Sequence, residues 1–155
     1  MQLRNSFQFA QAGCDQVVQH DCGFAALPIG TAVALAGSFS LIYPRREAKA
    51  YGTRANIEGE WQPGETAVVL DDLITSGLSK LETITQLQSA GLVVKDIVVL
   101  IDRSNDSAAA LAGTGCRLQA AATIRQLLDE WLRAGAVDSS QHAKVLRYIA
   151  AAPAG

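Results

Sequence analysis

The sequence predicts an α/β fold with a central, mostly parallel β-sheet flanked by helices and with one long flexible loop. Short apolar runs alternate with amphipathic stretches, which is typical of strands and helices in turn. One run, TAVVL at 66–70, is apolar throughout, as expected of a strand buried on both faces of a parallel sheet. The length of 155 residues suits one domain, and 49% hydrophobic against 18% charged residues exclude extensive disorder.

The first half of the chain contains three predicted elements followed by a polar segment. Gln16 to His20 is predicted as a weak strand, Leu27 to Ala36 as a helix and Phe39 to Tyr43 as a strand. Pro44 to Gln62 is polar and has no clear period, so we predict a long loop, with a two-stranded flap as an option. Loops of this length inside a compact domain are usually functional.

The second half begins with a strand at Thr66 to Leu70, after a turn at 62–64. The next helix ends at Gly91, because glycine just past a helix end accommodates the left-handed conformation there. Its apolar stripe comprises Leu78, Leu81, Ile84, Leu87 and Ala90. The other predicted elements are a strand at Val94 to Ile101, a short helix at Asp106 to Ala112, a weaker strand at Cys116 to Ala121, and helices at Ile124 to Ala134 and Ser139 to Ala150.

Charge and composition exclude several classes of protein. The net charge of −2 argues against a general nucleic-acid binder. The sequence has no run of eighteen apolar residues, and its start lacks a signal-peptide core, so we expect a cytoplasmic protein without membrane partners. Cys14, His20 and Cys22 lie close together, but no second ligand pair stands at zinc-site spacing, so a structural role is the stronger interpretation.

The segment VVLDDLITSGLSK, residues 68–80, carries the chemical signal. An apolar strand ends in Asp71 and Asp72, a turn follows, and a helix begins. Ligands bind at the carboxyl ends of strands in open α/β sheets, and a helix start offers unpaired N–H groups to an anion. The two carboxylates can hold sugar hydroxyls or Mg²⁺. The hydroxyls and the glycine that complete this predicted anion cradle are Thr75, Ser76, Ser79 and Gly77.

Other phosphate-binding motifs do not fit. The sequence has neither G-x-x-x-x-G-K nor G-x-G-x-x-G, and a phosphatase-type nucleophile would have its two acids one residue apart. The plain structural alternative is that Asp71 and Asp72 cap a turn. Upstream, a basic stretch precedes the acidic one, which suits a polyanion held with a divalent cation or, alternatively, a solvated loop. Its cations are Arg45, Arg46, Lys49 and Arg54.

The acid-pair motif resembles the phosphoribosyl-pyrophosphate signature of type I phosphoribosyltransferases. Three further segments narrow the resemblance to orotate phosphoribosyltransferases, in particular the domain found in UMP synthase. They are FAALPIGTAVAL at 24–35, YPRREAKAYGT at 43–53 with IEG at 57–59, and LIDRS at 100–104. The resemblance runs from about Cys22 to about Val137 and implies a type I phosphoribosyltransferase-like fold.

The resemblance implies Mg²⁺-dependent transfer of phosphoribosyl from phosphoribosyl pyrophosphate to orotate, giving orotidine 5′-phosphate and pyrophosphate in UMP biosynthesis. It assigns Lys49, Asp71 and Asp72 as catalytic, with the acid pair on the ribose hydroxyls. Arg103 would pair with the orotate carboxylate, and Thr75 would also contact orotate. The 5′-phosphate would be wrapped by Thr75, Ser76, Gly77, Leu78 and Ser79, and pyrophosphate would be bound by Arg45, Arg46 and Lys49, with Tyr51 beside them.

The resemblance also implies that the substrate mainly holds Mg²⁺, with Asp71 and Asp72 as candidate ligands. It further implies a homodimer in which Lys49 reaches the partner's site. Family members begin with a hood over the orotate ring, and nothing similar is found at the start of this sequence. We therefore expect an atypical, degenerate or remodelled segment at 1–24, a phosphoribosyltransferase core at 25–150 and a tail at 151–155. A weak or inactive binding relative and a truncated fragment remain the alternatives.

Overall fold

The computed structural model describes residues 16–19, 26–44, 57–75, 77–104 and 111–151. Most of the predicted N-terminal segment and tail therefore lies outside the described residues. So does most of the short helix predicted at Asp106 to Ala112. No helix among the described residues is long and apolar enough to cross a membrane.

Strands and helices alternate along the described chain. The strands are β1 (Gln16–Gln19), β2 (Ser40–Pro44), β3 (Ile57–Glu58), β4 (Thr66–Ile74), β5 (Val93–Asp102) and β6 (Arg117–Thr123). The helices are α1 (Ala26–Gly37), α2 (Leu78–Ser89), α3 (Ile124–Arg133) and α4 (Ser139–Ala151), with a 3₁₀ turn at Ala112–Thr114. The predicted elements that lie in the described residues are confirmed, with shifts of a few residues at their ends.

The strands form one sheet in the order β3-β2-β1-β4-β5-β6. Neighbouring strands from β2 to β6 in that order are parallel, and β3 pairs antiparallel with β2 at the edge. This arrangement confirms the predicted mostly parallel sheet. Tyr43 pairs with Glu58 and Pro44 with Ile57, so β2 and β3 pair at the two ends of the segment 45–56. The predicted two-stranded flap lies mostly in that segment, outside the described residues.

The hydrophobic core lies on both sides of β4. Residues 67–71 of β4 are all buried, as the continuous apolar run predicts for its part of the strand. Ile84 and Leu87 of α2 pack into the same core, where Leu87 is fully buried. Helix α2 ends as expected before Gly91, which has a φ of +89° and hence the left-handed conformation that glycine adopts at little cost.

One sequence-based boundary was wrong. The predicted strand stopped at Leu70, but β4 continues to Ile74, so Asp71 and Asp72 lie inside the strand instead of after it. The reason is tertiary, because β5 extends to Asp102 and keeps pairing with β4 as far as Ile74. Strand pairing of this kind overrides the low strand propensity of aspartate.

Candidate active site

The sheet has a topological switch point between β1 and β4. From β1 the chain runs through α1 to β2 on one side, and from β4 it runs through α2 to β5 on the other. Ligands of open α/β sheets bind in the crevice that such a reversal opens at the carboxyl ends of the strands. Gln19, the last residue of β1, pairs with Leu70, so the acid pair follows directly beside this crevice.

Asp71 is buried and fully engaged within the protein. It is 5% exposed, and its Oδ2 forms an ion pair with the Nζ of Lys80, which is also buried, in the first turn of α2. Its Oδ1 accepts a hydrogen bond of 2.8 Å from the main-chain N–H of Asp72. These partners hold the carboxylate between its own strand and α2.

Asp72 is half-buried and differs from Asp71 in its electrostatics. Burial raises the pKa of the Asp72 carboxyl above its ordinary value of 3.8, and the adjacent carboxylate of Asp71 raises it further. Desolvation and a like charge both disfavour the ionised form. The acid pair is therefore an asymmetric site, with one carboxylate in an ion pair and its neighbour carrying an unfavourable charge.

The turn after β4 leads into the N-terminus of α2. Gly77 caps the helix with a φ of +80°, and its carbonyl accepts the main-chain N–H groups of Lys80 and Leu81 at 3.0 and 3.2 Å. The N–H groups at the start of a helix have no intrahelical acceptor, so they are available to an anion. Thr75 and Ser79 flank this helix start and are exposed.

Arg103 follows β5 at the same edge of the sheet. Its main-chain N–H donates to the carbonyl of Ile74 at 2.9 Å, and Arg103 as a whole is exposed. On either side of it, the Oδ1 of Asp102 accepts hydrogen bonds from the main-chain N–H and the Oγ of Ser104, at 2.8 and 2.6 Å. The cation of Arg103 is thus carried on a short, internally bonded turn.

The structure brings part of the predicted site together. Its members at the carboxyl edge of β4 and β5 are Asp71, Asp72, Thr75, Gly77, Ser79, Arg103 and the backbone of Leu78. The predicted residues Arg45, Arg46, Lys49, Tyr51 and Ser76 lie outside the described residues.

Sequence reasoning missed Lys80. The signal was its position, because Lys80, Thr83, Ile84 and Leu87 follow the spacing of one helix face and all four are buried. The apolar residues alone predict a buried stripe through Leu81, one position after Lys80. A lysine on the core face of a helix next to an acid pair predicts a buried ion pair.

The acid pair offers oxygen ligands of the kind that a hard cation such as Mg²⁺ takes. Within the described ranges, no group of three or more His, Cys, Asp or Glu side chains could hold a metal ion. Mg²⁺ is commonly bound through one or two carboxylates together with substrate phosphates. Asp71 already contacts the ammonium of Lys80, so Asp72 is the better-placed carboxylate of the pair for a cation.

Comparison with known proteins points to one family, although no protein-family model matches the chain. The bifunctional enzyme PyrF/PyrE of Nostoc sp. is 41% identical over 118 residues, which cover 76% of this chain and 25% of that protein. The orotate phosphoribosyltransferase of Natronomonas pharaonis is 32% identical over 124 residues, which cover 78% of this chain and 72% of that protein.

A solved structure agrees in fold. Leishmania donovani UMP synthase superposes with a TM-score of 0.81 at 37% identity, over 96% of this chain and 32% of that one. The chain thus spans about a quarter of the bifunctional enzyme, about a third of the UMP synthase and 72% of the Natronomonas protein. From its sheet, its acid-pair motif and these similarities, the chain belongs to the orotate phosphoribosyltransferase family.

Proposed function

We propose that this chain transfers the phosphoribosyl group of phosphoribosyl pyrophosphate to orotate, giving orotidine 5′-phosphate and pyrophosphate. The observation that carries the proposal is the acid pair at the β1–β4 switch point, followed within a few residues by the N-terminus of α2. Carboxylates suit a sugar diol, and a helix N-terminus suits a phosphate. The acid pair and the helix N-terminus are separated by one short turn, so one ribose 5-phosphate could place its diol at the first and its phosphate at the second.

The reaction creates charge that these groups can stabilise. Departure of pyrophosphate from the anomeric carbon builds positive charge on the ribose and negative charge on the leaving group. Asp71 and Asp72 would hold the ribose hydroxyls and favour the positive ring. The 5′-phosphate would bind at the turn Thr75 to Ser79, where the helix dipole and the N–H groups favour an anion. Preorganised charges of this kind act mainly on the transition state.

The leaving group needs cations. In the proposal, Arg45, Arg46 and Lys49 bind the pyrophosphate, with Tyr51 beside it. Lys49 serves the partner's site in a homodimer. The support is that the segment 45–56 starts and ends on the paired strands β2 and β3, two strands away from the acid pair.

Arg103 would bind the carboxylate of orotate. Its guanidinium can form two parallel hydrogen bonds with a carboxylate, and its main chain is bonded to Ile74, just before Thr75. Orotate would therefore lie between Arg103 and Thr75, next to the ribose. When bound, Mg²⁺ would neutralise the diphosphate and orient it, with Asp72 as the candidate protein ligand. The proposal places the protein in the cytoplasm, which cell fractionation would test.

The test is turnover by the purified chain. With Mg²⁺ and phosphoribosyl pyrophosphate, orotate absorbance should fall while pyrophosphate appears in equal amount. Lys49→Ala should lower kcat by about 100-fold or more, since it removes a cation from the leaving group. Lys144→Ala, which removes an exposed lysine of α4, is the matched control and should match wild type. Absence of turnover, with Lys49→Ala indistinguishable from wild type, would reject the proposal; binding of phosphoribosyl pyrophosphate without turnover would favour the inactive binding relative.

The dimer has its own test. Light scattering at micromolar concentration should give twice the mass of 16.4 kDa. A mixture of Lys49→Ala and Asp72→Asn chains should recover activity, because each mixed dimer retains one site with an intact lysine and an intact acid pair. A strict monomer that is fully active would refute the shared lysine.

A further inference from the structure

Lys80 is a buried charge for which the proposed reaction has so far no use. Among the described residues, the buried polar or charged side chains are Asp71, Lys80 and Thr83. Lysine is rarely buried unless it is paired, and burying an ion pair costs desolvation that an apolar residue would avoid. Leucine or methionine would serve the core face of α2 better, so packing alone does not account for a lysine.

The contacts of Lys80 lead to the ribose-binding carboxylates. Its Nζ contacts Asp71 Oδ2, and the other oxygen of Asp71 holds the main-chain N–H of Asp72. A line of direct contacts therefore runs from α2 through Asp71 to the backbone of Asp72. Both oxygens of Asp71 have partners inside the protein, and its side chain is only 6% exposed.

The charge of Lys80 also matters for an anionic ligand. Two adjacent carboxylates alone would place two negative charges where a polyphosphate ester must bind. The ammonium of Lys80 cancels one of them at contact distance, and the low polarity of a buried site strengthens that effect. The acid pair then keeps enough charge to accept hydroxyl hydrogens with less repulsion of phosphate groups.

We propose that Lys80 is a positioning residue of the phosphoribosyl site: it fixes and neutralises Asp71, so that Asp72 makes the direct contact with the ribose diol. This inference rests on the proposed function and divides the work of the acid pair. Asp71 acts through Asp72 by holding its main chain. The two oxygens of Asp72 can accept hydrogen bonds from two neighbouring hydroxyls.

The test compares four variants for binding of phosphoribosyl pyrophosphate with Mg²⁺, measured by calorimetry on the full chain. Lys80→Met should weaken binding about tenfold or more, because it leaves the buried Asp71 unpaired beside Asp72. The double variant Lys80→Met with Asp71→Asn should bind at least about threefold more tightly than Lys80→Met alone, since no unpaired charge remains. Asp72→Asn should lose about 10- to 100-fold, as expected for a charged acceptor. Lys144→Met is the matched control.

Turnover supplies a second measurement that separates positioning from folding. A purely structural defect reduces the number of folded molecules, which lowers the apparent kcat and leaves KM unchanged. Lys80→Met should instead raise the KM for phosphoribosyl pyrophosphate. The concentration of folded protein in each sample is determined from the amplitude of its thermal unfolding transition. Should Lys80→Met fail to fold, the double variant still reports whether Asp71 contacts the sugar.

Three outcomes overturn the inference. Wild-type affinity in Lys80→Met would show that the ion pair does not act on the site. A double variant as weak as Asp72→Asn would show that Asp71 binds the ribose directly. A wild-type protein that binds no phosphoribosyl pyrophosphate would reject the inference together with the proposed function. If wild type binds and only the variant pattern fails, the inference alone is refuted.

Discussion

The main-chain N–H of Arg103 donates to the carbonyl of Ile74 at 2.9 Å and so joins the carboxyl ends of β4 and β5. This hydrogen bond continues the pairing of Ile74 with Asp102, and together they hold the turn that follows the acid pair beside the turn that carries the arginine. The two substrates of the proposed reaction would meet across this hydrogen bond. Variants on either side should therefore affect different substrates.

Replacing Arg103 should impair orotate binding alone. Arg103→Lys keeps the charge but loses the planar fork that pairs with a carboxylate, so the KM for orotate should rise about 10- to 100-fold. Calorimetry with phosphoribosyl pyrophosphate should show unchanged affinity. Arg147→Lys, at an exposed position of α4, is the control. A rise in both constants would mean that Arg103 supports the whole edge of the sheet.

The turn around Arg103 should matter less than the arginine itself. Ser104→Ala removes the hydroxyl that donates to Asp102 Oδ1 at 2.6 Å but leaves the main-chain bond at 2.8 Å. A hydrogen bond to a carboxylate contributes about 1.5–3 kcal/mol, but here it supports the turn and not the orotate contact itself, and the main-chain bond remains. The KM for orotate should therefore rise by less than about tenfold. Steady-state kinetics at saturating phosphoribosyl pyrophosphate would measure it. A rise in KM as large as that of Arg103→Lys would contradict the prediction that the turn matters less than the arginine.

Asp72 should destabilise the unliganded fold when it is ionised. Because its folded pKa is raised above 3.8, ionisation costs stability as the pH rises through that pKa. Asp72→Asn should therefore raise Tm at pH 7, by a few degrees at most given about 2–4 °C per kcal/mol for this size. The gain should vanish near pH 3. Thermal melts across this range would show a constant gain if the charge were irrelevant.

Gly77 should be intolerant of a side chain. Its φ of +80° lies in the left-handed region, where alanine costs about 1–2 kcal/mol. Gly77→Ala should lose that much stability in urea unfolding and should also weaken phosphoribosyl-pyrophosphate binding, because the added methyl group lies at the phosphate turn. Gly64→Ala, where φ is +93° and an added Cβ meets nothing within 4 Å, is the matched control for backbone strain. It should lose stability without losing affinity.

The core face of α2 should carry much of the stability. Leu87→Ala deletes a fully buried side chain and should cost about 2–5 kcal/mol. Leu35→Ala on α1, where the leucine is 78% exposed, should change stability by no more than about 0.5 kcal/mol. Urea unfolding monitored by circular dichroism would compare them. Equal losses would mean that the exposed face of α1 is covered in solution.

The sheet could be predicted from the sequence because β4 begins with the apolar run 67–70 and β5 contains the apolar run 97–101, and such runs are typical of parallel strands. The end of β4 could not, since it depends on how far β5 pairs with it. The acid pair was visible as a motif. The difference between Asp71 and Asp72 could not be predicted, because it arises from Lys80 on α2. A helix stripe drawn from the apolar residues alone places this lysine on the surface.

The pairing of β2 with β3 limits how far Lys49 can lie from the sheet. Pro44 pairs with Ile57, so the chain between them is tethered at one point of the sheet edge. From Pro44, the Cα of Lys49 lies within about 18 Å at the full extension of a polypeptide. The acid pair is on the second strand over from β2, about 10 Å away at the usual strand spacing. The tether is thus short enough to confine Lys49 to the neighbourhood of this edge. A homodimer in which Lys49 serves the partner's acid pair therefore requires the two subunits to meet near this edge of the sheet.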